Sequence, residues 1–157
     1  MKILLISVGI MREAPLKELF ERYSSKIPFY MPFEAIAIPD IKGGKGMTPD
    51  NQKIKEGEAI LGKISNGDYV VLMDERGGEC TSRQFAEFID KKASVLARNL
   101  VFVIGGPYGF SRAVYDRADR LAGLSKMTFT HEMARVLTAE QIYRAMTILR
   151  GEPYHHD

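Results

Sequence analysis

Short apolar runs alternate with helical patterns along the whole 157-residue chain. Residues 2–8 and 100–104 are continuous apolar runs, typical of strands that are covered on both faces. Residues 33–38 and 69–73 are two further candidate strands. Because helices fall between them, the pattern predicts an α/β fold: one domain over 1–157 with a mostly parallel sheet flanked by helices.

The sequence also predicts several helix ends and the buried faces of two helices. Thr81 and Gln84 have the spacing of a capping box, and Ser111 is a candidate N-cap for a short helix. Gly151 and Pro153 form a stop after a long final helix. Helical spacing predicts two sets of inward-facing residues: Ile54, Leu61 and Ile64 in the second helix, and Val114, Ala118 and Leu121 in the short one.

Composition limits the class of protein. A net charge of +2 does not by itself indicate nucleic acid, so an RNA-binding surface would need local clustering of basic residues. The single cysteine, Cys80, excludes an internal disulfide and suits a reducing compartment. No segment approaches the ~20 apolar residues that span a bilayer, and the first apolar run is broken at Ser7 and Gly9. We therefore expect a cytoplasmic protein without membrane contact.

Common catalytic motifs are missing. The glycines at 105, 106 and 109 do not fit G-x-G-x-x-G, and the 43–48 segment fails the spacing of a phosphate loop. No G-x-S-x-G elbow occurs, and the residues from His131 onward lack the second histidine of a zinc protease helix. These absences argue against hydride transfer, nucleotide hydrolysis and metalloproteolysis, and no metal site is expected.

A glycine turn and a later apolar segment are the most informative local features. Strand 100–104 ends in Gly105-Gly106-Pro107-Tyr108-Gly109, and side-by-side glycines let the backbone approach a flat ligand closely. Such a turn at the carboxyl end of a strand is where open α/β sheets bind ligands. Taken alone, it fits a tight turn before a helix equally well, and the segment 124–129 fits a core strand.

Together these features resemble the ribosomal RNA large subunit methyltransferase H family of the SPOUT superfamily. The resemblance covers essentially the whole chain, and its specific motifs lie in the carboxyl-terminal half. They are the strand ending in Leu72, Ile104-Gly105-Gly106-Pro107, Leu124-Ser125-Lys126-Met127-Thr128, His131, Arg135-Val136-Leu137, Glu140-Gln141-Ile142-Tyr143-Arg144-Ala145 and Pro153-Tyr154-His155. The chain departs from the family at His156-Asp157, where a Lys or Arg is expected.

The resemblance implies an activity, a fold and a cofactor site. The enzyme would take a methyl group from S-adenosylmethionine and place it on N3 of a pseudouridine in the helix 69 loop of 23S rRNA. The fold would contain a deep carboxyl-terminal trefoil knot. The family's cofactor-binding positions match Leu72, Gly105, Leu124, Ser125, Lys126, Met127, Thr128 and Phe129.

Catalytic candidates follow from the same resemblance. N3 must lose its proton as it attacks, so a base is expected, and His155 is the best candidate because histidine titrates near pH ~6.5. Arg135 and Arg144 would hold phosphate or developing negative charge, and Tyr154 would stack on a base. Alternative interpretations are a flexible tail histidine, a Glu140–Arg144 pair on the helix surface and a tyrosine that packs the helix end.

The expected partners are a second copy of the chain and 23S rRNA in the large subunit or the assembled ribosome. In a homodimer, the final helix and tail could complete the partner's site. Lys42 and Lys45 would grip RNA backbone or belong to a solvated loop. Two other functions fit the sequence: a SPOUT methyltransferase acting on tRNA, and a non-catalytic ribosome-assembly factor that binds RNA.

Overall fold

One parallel sheet forms the centre of the protein. The computed structural model describes residues 1–41, 46–95 and 97–157. Its strands are β1 (Ile3–Val8), β2 (Phe33–Ile38), β3 (Tyr69–Gly78), β4 (Leu100–Ile104) and β5 (Arg120–Ala122). They lie in the order β2-β1-β4-β3-β5, and every pairing is parallel. The predicted sheet is thus confirmed.

Helices cover both faces of this sheet. They are α1 (Ala14–Ser24), α2 (Pro49–Leu61), α3 (Ser82–Val95), α4 (Arg112–Arg117) and α5 (His131–Leu149), with a 3-10 turn at Ile27–Phe29. Alternate residues of β4 face opposite sides: Leu100 and Phe102 pack with α3 and α5, whereas Val101 and Val103 pack with α2 and α4. Such double burial explains the continuous apolar runs in the sequence.

Both predicted helix caps are present. The backbone N–H of Thr81 donates to Oε1 of Gln84 at 2.9 Å, and the backbone N–H of Gln84 donates to Oγ1 of Thr81 at 3.1 Å. This reciprocal pair is a capping box. Ser111 accepts from the backbone N–H of Val114 at 3.4 Å and so caps α4.

Four of the predicted inward-facing residues were placed wrongly, and two of them, Ile64 and Ala118, pack against the core but lie beyond the ends of α2 and α4. Ile54 is 51% exposed, because the inner side of α2 is formed by Glu56, Gly57 and Ile60. Leu121 belongs to β5 and not to the preceding helix. The chain rejoins the sheet at Asp119, whose carboxylate accepts from the backbone N–H of Val70 at 2.8 Å.

Lys42 and Lys45, the predicted RNA-gripping lysines, lie outside the described residues. No helix in the described part of the chain has the length and apolar character that a membrane crossing needs.

Candidate active site

A large pocket lies at the carboxyl ends of β3 and β4. Its volume is about 1000 Å³, enough for a ligand of cofactor size. Three stretches of the chain and the start of α5 form its walls: residues 73–76 in the carboxyl-terminal half of β3, residues 104–110 at the end of β4 and beyond it, and residues 124–130 before α5. The glycine turn and the later apolar segment therefore meet at one site.

The glycine turn, residues 105–109, is closed by a hydrogen bond from the backbone N–H of Gly109 to the carbonyl of Gly106 at 3.1 Å. Gly109 has a φ of +80°, a conformation that favours glycine. A Cβ at Gly105 would lie 3.0 Å from the ring of Phe110. A larger side chain at position 105 would thus disturb Phe110, which also lines the pocket.

The segment 124–129 is a loop and not a core strand. Five of its residues line the pocket, namely Leu124, Ser125, Met127, Thr128 and Phe129. Met127 is 75% exposed, so this apolar side chain of the pocket wall is open to solvent in the single chain. The loop is held by a hydrogen bond from the backbone N–H of Met127 to Oγ of Ser125 at 3.0 Å and by one from Thr128 to Glu75.

Two of the expected cofactor residues do not line this pocket. Leu72 is fully buried in the core between the sheet, α2 and α4. Lys126 is exposed on the same loop as the lining residues, but it is not part of the wall.

The carboxyl end of β3 packs tightly against β5. A Cβ at Gly77 would lie 2.5 Å from the backbone nitrogen of Ala122, and a Cβ at Gly123 would lie 2.8 Å from the carbonyl oxygen of Gly77. Gly78 pairs with Ala122 after a shift in register. The two stretches of backbone therefore contact each other without side chains between them.

A network of polar side chains at the pocket edge was not predicted. Tyr115 donates to the carboxylate of Asp74, and Arg76 donates to the hydroxyl of Tyr115. Burial acts to raise the pKa of Asp74, but the hydrogen bonds from Tyr115 and Arg76 outweigh it and lower the pKa. Burial and Asp74 together raise the pKa of Tyr115. Asp74 is thus a fixed negative charge beside the ligand space.

Other carboxylates add to this charge. Glu13, Glu75 and Glu132 line the pocket, together with His131. Glu132, in the first turn of α5, accepts from the backbone N–H groups of Arg12 and Glu13 at 2.8 and 3.1 Å. Only its place at a helix start marked it in the sequence. With apolar walls and an excess of negative charge, the pocket fits a ligand that has a flat apolar part and a positive charge, as S-adenosylmethionine has.

Three of the four catalytic candidates come together at the other end of α5. We call Glu140, Arg144, Tyr154 and His155 the tail cluster. Nε of Arg144 donates to Glu140 at 2.9 Å, the hydroxyl of Tyr154 donates to Glu140 at 3.0 Å, and the Arg144 guanidinium lies 4.7 Å from the centre of the Tyr154 ring. Burial and then Glu140 raise the pKa of Tyr154, so its hydroxyl stays protonated as a donor.

His155 has its two ring nitrogens in different surroundings. Nδ1 lies 3.2 Å from Nη1 of Arg144, and Nε2 lies 3.0 Å from Oδ1 of Asp157. A guanidinium can only donate, so Nδ1 must be the acceptor and Nε2 must carry the proton. In this arrangement the ring has no free lone pair. Proton uptake by His155 therefore requires the Arg144 contact to break.

Asp157 fixes the tail to α3. Its carboxylate accepts from Nε of Arg83 at 2.8 Å, and this hydrogen bond, with a further one from His155, lowers the pKa of Asp157 to about 2. The end of the tail is thus ion-paired with α3 at the surface.

Arg135, the fourth candidate, lies apart from the tail cluster. It is 2% exposed, does not line the pocket, and donates through Nη2 to the carbonyls of Val8 and Gly9 at the end of β1. Its Nε has no partner in the described part of the protein. Burial lowers the pKa of Arg135, while Glu132 and Asp40 oppose that shift.

The tail cluster and the pocket are separated along α5. His131 at the pocket and Arg144 in the cluster differ by 13 positions, or roughly 20 Å of helix. Within one chain, the structure does not bring the predicted base to the predicted cofactor site. No group of three or more His, Cys, Asp or Glu side chains suited to a metal occurs in the described ranges.

Comparison with known proteins gives full-length matches. A sequence model of the family described as "Predicted SPOUT methyltransferase" matches residues 1–155. The chain is 51% identical over 157 residues to a protein of Parabacteroides distasonis named "Ribosomal RNA large subunit methyltransferase H", and the match covers 100% of both chains. A protein of the same name from Christiangramia forsetii is 48% identical and covers 99% of each chain.

Among solved structures, a probable methyltransferase from Bordetella pertussis Tohama I has a similar fold. Its TM-score is 0.56 at 12% identity, with 92% of this chain and 94% of that chain covered. At that identity the likeness concerns the fold alone.

Proposed function

The chain belongs to the SPOUT methyltransferase family, and from that membership we propose that it transfers a methyl group from S-adenosylmethionine to N3 of a pseudouridine in the helix 69 loop of 23S rRNA. The observation that carries the proposal is the 51% identity over the full length of a relative named for methylation of large-subunit rRNA. We further propose that residues 1–157 form one SPOUT domain that works in the cytoplasm.

The pocket at the ends of β3 and β4 is the proposed site of the methyl donor. Gly105 offers its backbone at close range, and Leu124, Met127 and Phe129 offer apolar walls for a flat ring. Asp74 and Glu75 in the pocket wall are negative charges that would suit a sulfonium and an ammonium group. Leu72 supports the floor from the buried side of β3. The donor supplies the reactive methyl group, so the chain's main task is alignment.

The proposed trefoil knot is supported by the close contact between the carboxyl end of β3 and β5. Gly77 and Gly123 leave no side chain between the two stretches of backbone, as expected where one segment passes through a loop made by another. The final helix, α5, would be the threaded part.

The proposed homodimer is supported by an apolar face of α1 that a single chain covers only in part, since Phe20 and Tyr23 pack against the core but stay half-buried. No residue of α1 is fully buried, although the helix is amphipathic. Its half-buried apolar residues are Leu16, Leu19, Phe20 and Tyr23. A second copy on this face would cover them. It would also let one chain's tail cluster reach its partner's pocket, which the roughly 20 Å separation along α5 prevents within one chain.

In that composite site, His155 is the proposed base and Arg144 its partner. RNA phosphate would compete with His155 and Glu140 for the Arg144 guanidinium. Release of Nδ1 would then free the lone pair that takes the N3 proton. Tyr154 would stack on a base, and Arg135 would hold the end of β1 that lies next to α5.

Mapping of rRNA tests the substrate. Large-subunit rRNA from a deletion strain, with and without the gene restored, is digested and analysed by mass spectrometry. Loss of one methyl group on the helix 69 pseudouridine, regained on restoration, is the expected result. A helix 69 that stays methylated after deletion would reject this substrate.

Calorimetric titration with S-adenosylmethionine then separates the two alternative functions. An enzyme for another RNA binds the donor, whereas a non-catalytic binding factor does not.

A further inference from the structure

Glu56 brings a carboxylate against the glycine turn from outside the pocket. It lies on α2 and is only 2% exposed. A Cβ built on Gly106 would lie 2.7 Å from Oε2 of Glu56. Gly106 lines the pocket and Glu56 does not. The carboxylate therefore supports the turn on a side that a ligand in the pocket does not occupy.

The same carboxylate is poorly compensated. Oε1 accepts from Nε2 of Gln52 at 3.0 Å, and Oε2 has no partner in the described part of the chain. In that part of the chain, the hydrogen-bond donor to the Glu56 carboxylate is therefore the neutral amide of Gln52. Burial of a carboxylate without a cation is unfavourable, and packing alone would be served better by an apolar side chain. The charge at this position therefore has no explanation in stability.

The neighbouring residue fixes the other end of the same loop. A Cβ on Gly57 would lie 2.3 Å from Oγ of Ser111 and 3.2 Å from Cγ2 of Val114. Ser111 caps α4, directly after the residues that line the pocket. Glu56 and Gly57 thus dock α2 on both ends of the stretch from Gly106 to Ser111.

We propose that Glu56 is a positioning residue for methyl transfer, which holds Gly106, and through it Gly105, where the turn can receive the donor. It touches the turn and not the donor. The inference rests on the proposed function for the identity of the ligand. It adds a residue on α2, an element outside the pocket wall, to the donor-binding apparatus.

Glu56→Gln tests the proposal, because it keeps the shape of the side chain and removes its charge. Two variants on the same helix are controls: Glu58→Gln, which changes an exposed carboxylate, and Ile60→Val, which loosens the buried face of α2. Donor affinity is measured by calorimetry with S-adenosylmethionine, and stability by thermal unfolding.

We expect Glu56→Gln to weaken binding of the donor about tenfold or more. Glu58→Gln should leave this affinity unchanged, and Ile60→Val should lower the unfolding temperature with little loss of affinity. An unchanged affinity in Glu56→Gln would overturn the proposal. The proposal would also be overturned if Ile60→Val and Glu56→Gln had the same unfolding temperature and lost the same amount of donor affinity.

A second readout does not depend on the donor. The amide resonances of Gly106 and Gly109 are recorded by NMR without ligand. Glu56→Gln should shift them and speed hydrogen exchange at the Gly109 amide, whereas Ile60→Val should not. If the wild-type protein fails to bind the donor, the proposed function fails, and this readout alone decides the role of Glu56. Resonances that stay in place in Glu56→Gln would then reject it.

Discussion

At the scale of single residues, the state of His155 is set by its two neighbours. Arg144 can only donate to Nδ1, and Asp157 accepts from Nε2. We predict that the neutral ring carries its proton on Nε2, which the nitrogen-15 shifts of the two ring atoms report directly. In Arg144→Ala, Nδ1 loses its donor, and the preference for this tautomer should weaken. A wild-type ring protonated on Nδ1 would contradict the arrangement described here.

Asp157 gives a prediction for pH dependence. Its pKa is lowered to about 2 by Arg83 and His155. A lowered carboxyl pKa means that the contact is fully formed above the ordinary value and is lost as the pH falls through the lowered one. The contact between Asp157 and Arg83 should therefore persist at pH 4 and be lost near pH 2. Titration of the Asp157 carboxyl carbon by NMR measures this midpoint, and Arg83→Ala should raise it toward the ordinary value of 3.8. A midpoint that Arg83→Ala leaves unchanged would show that the tail is anchored in another way.

Arg135 connects α5 to the end of β1. Arg135→Ala would leave the carbonyls of Val8 and Gly9 without a donor and would open a cavity, so we expect a loss of about 3 kcal/mol in the free energy of unfolding. Urea unfolding measures it, with Arg112→Ala, an exposed arginine on α4, as the control that should change little. A variant of full stability but without methyl transfer would instead support a direct catalytic role.

At the scale of elements, the carboxyl end of β3 is sensitive to substitution at one of its two glycines. A Cβ on Gly77 would meet the backbone of Leu121 and Ala122 at 2.5–2.7 Å, whereas a Cβ on Gly78 would have nothing within 4 Å. Backbone atoms cannot move aside as a side chain end can. Gly77→Ala should therefore cost about 1–3 kcal/mol or more, and Gly78→Ala should be tolerated. Thermal unfolding of the pair checks this, and equal stability of both variants would contradict the close contact.

The sequence predicted those elements whose local pattern and tertiary surroundings agree. β2 and β4 were located to the residue, because β4 is covered on both faces and β2 alternates and ends before a proline. The caps of α3 and α4 were also found, since a cap depends on neighbours in the sequence. β5 was missed because it has only three residues and Leu121 continues the spacing of α4.

The site was predicted less completely, for a physical reason. Gly105 and five residues of 124–129 line the pocket, and their contact with a cofactor stays a prediction. Asp74, Arg76 and Tyr115 join it through the fold and no local pattern marks them, whereas Glu132 is marked only by its place at a helix start. Ile54 faces out because α2 turns Glu56 toward the glycine turn, and spacing alone does not predict a buried carboxylate.

At the scale of the whole molecule, the proposed donor pocket and the tail cluster lie at opposite ends of α5. A composite site needs the pocket of one chain and the tail of the other. Such a site would explain why the tail is ordered and ion-paired although it lies far from its own pocket. It would also give a role to the half-exposed apolar face of α1.

Subunit complementation tests this composite site most directly. One inactive variant carries Gly105→Val and an intact tail, and the other has an intact pocket but lacks residues 154–157. The two are mixed, allowed to exchange subunits, and assayed for methyl transfer to ribosomes from the deletion strain; circular dichroism and dimer mass confirm that each is folded. The mixture should regain roughly a quarter of wild-type activity, since about half of the dimers are mixed and each of these has one complete site. A mixture as inactive as its two components would show that pocket and tail do not cooperate across a dimer.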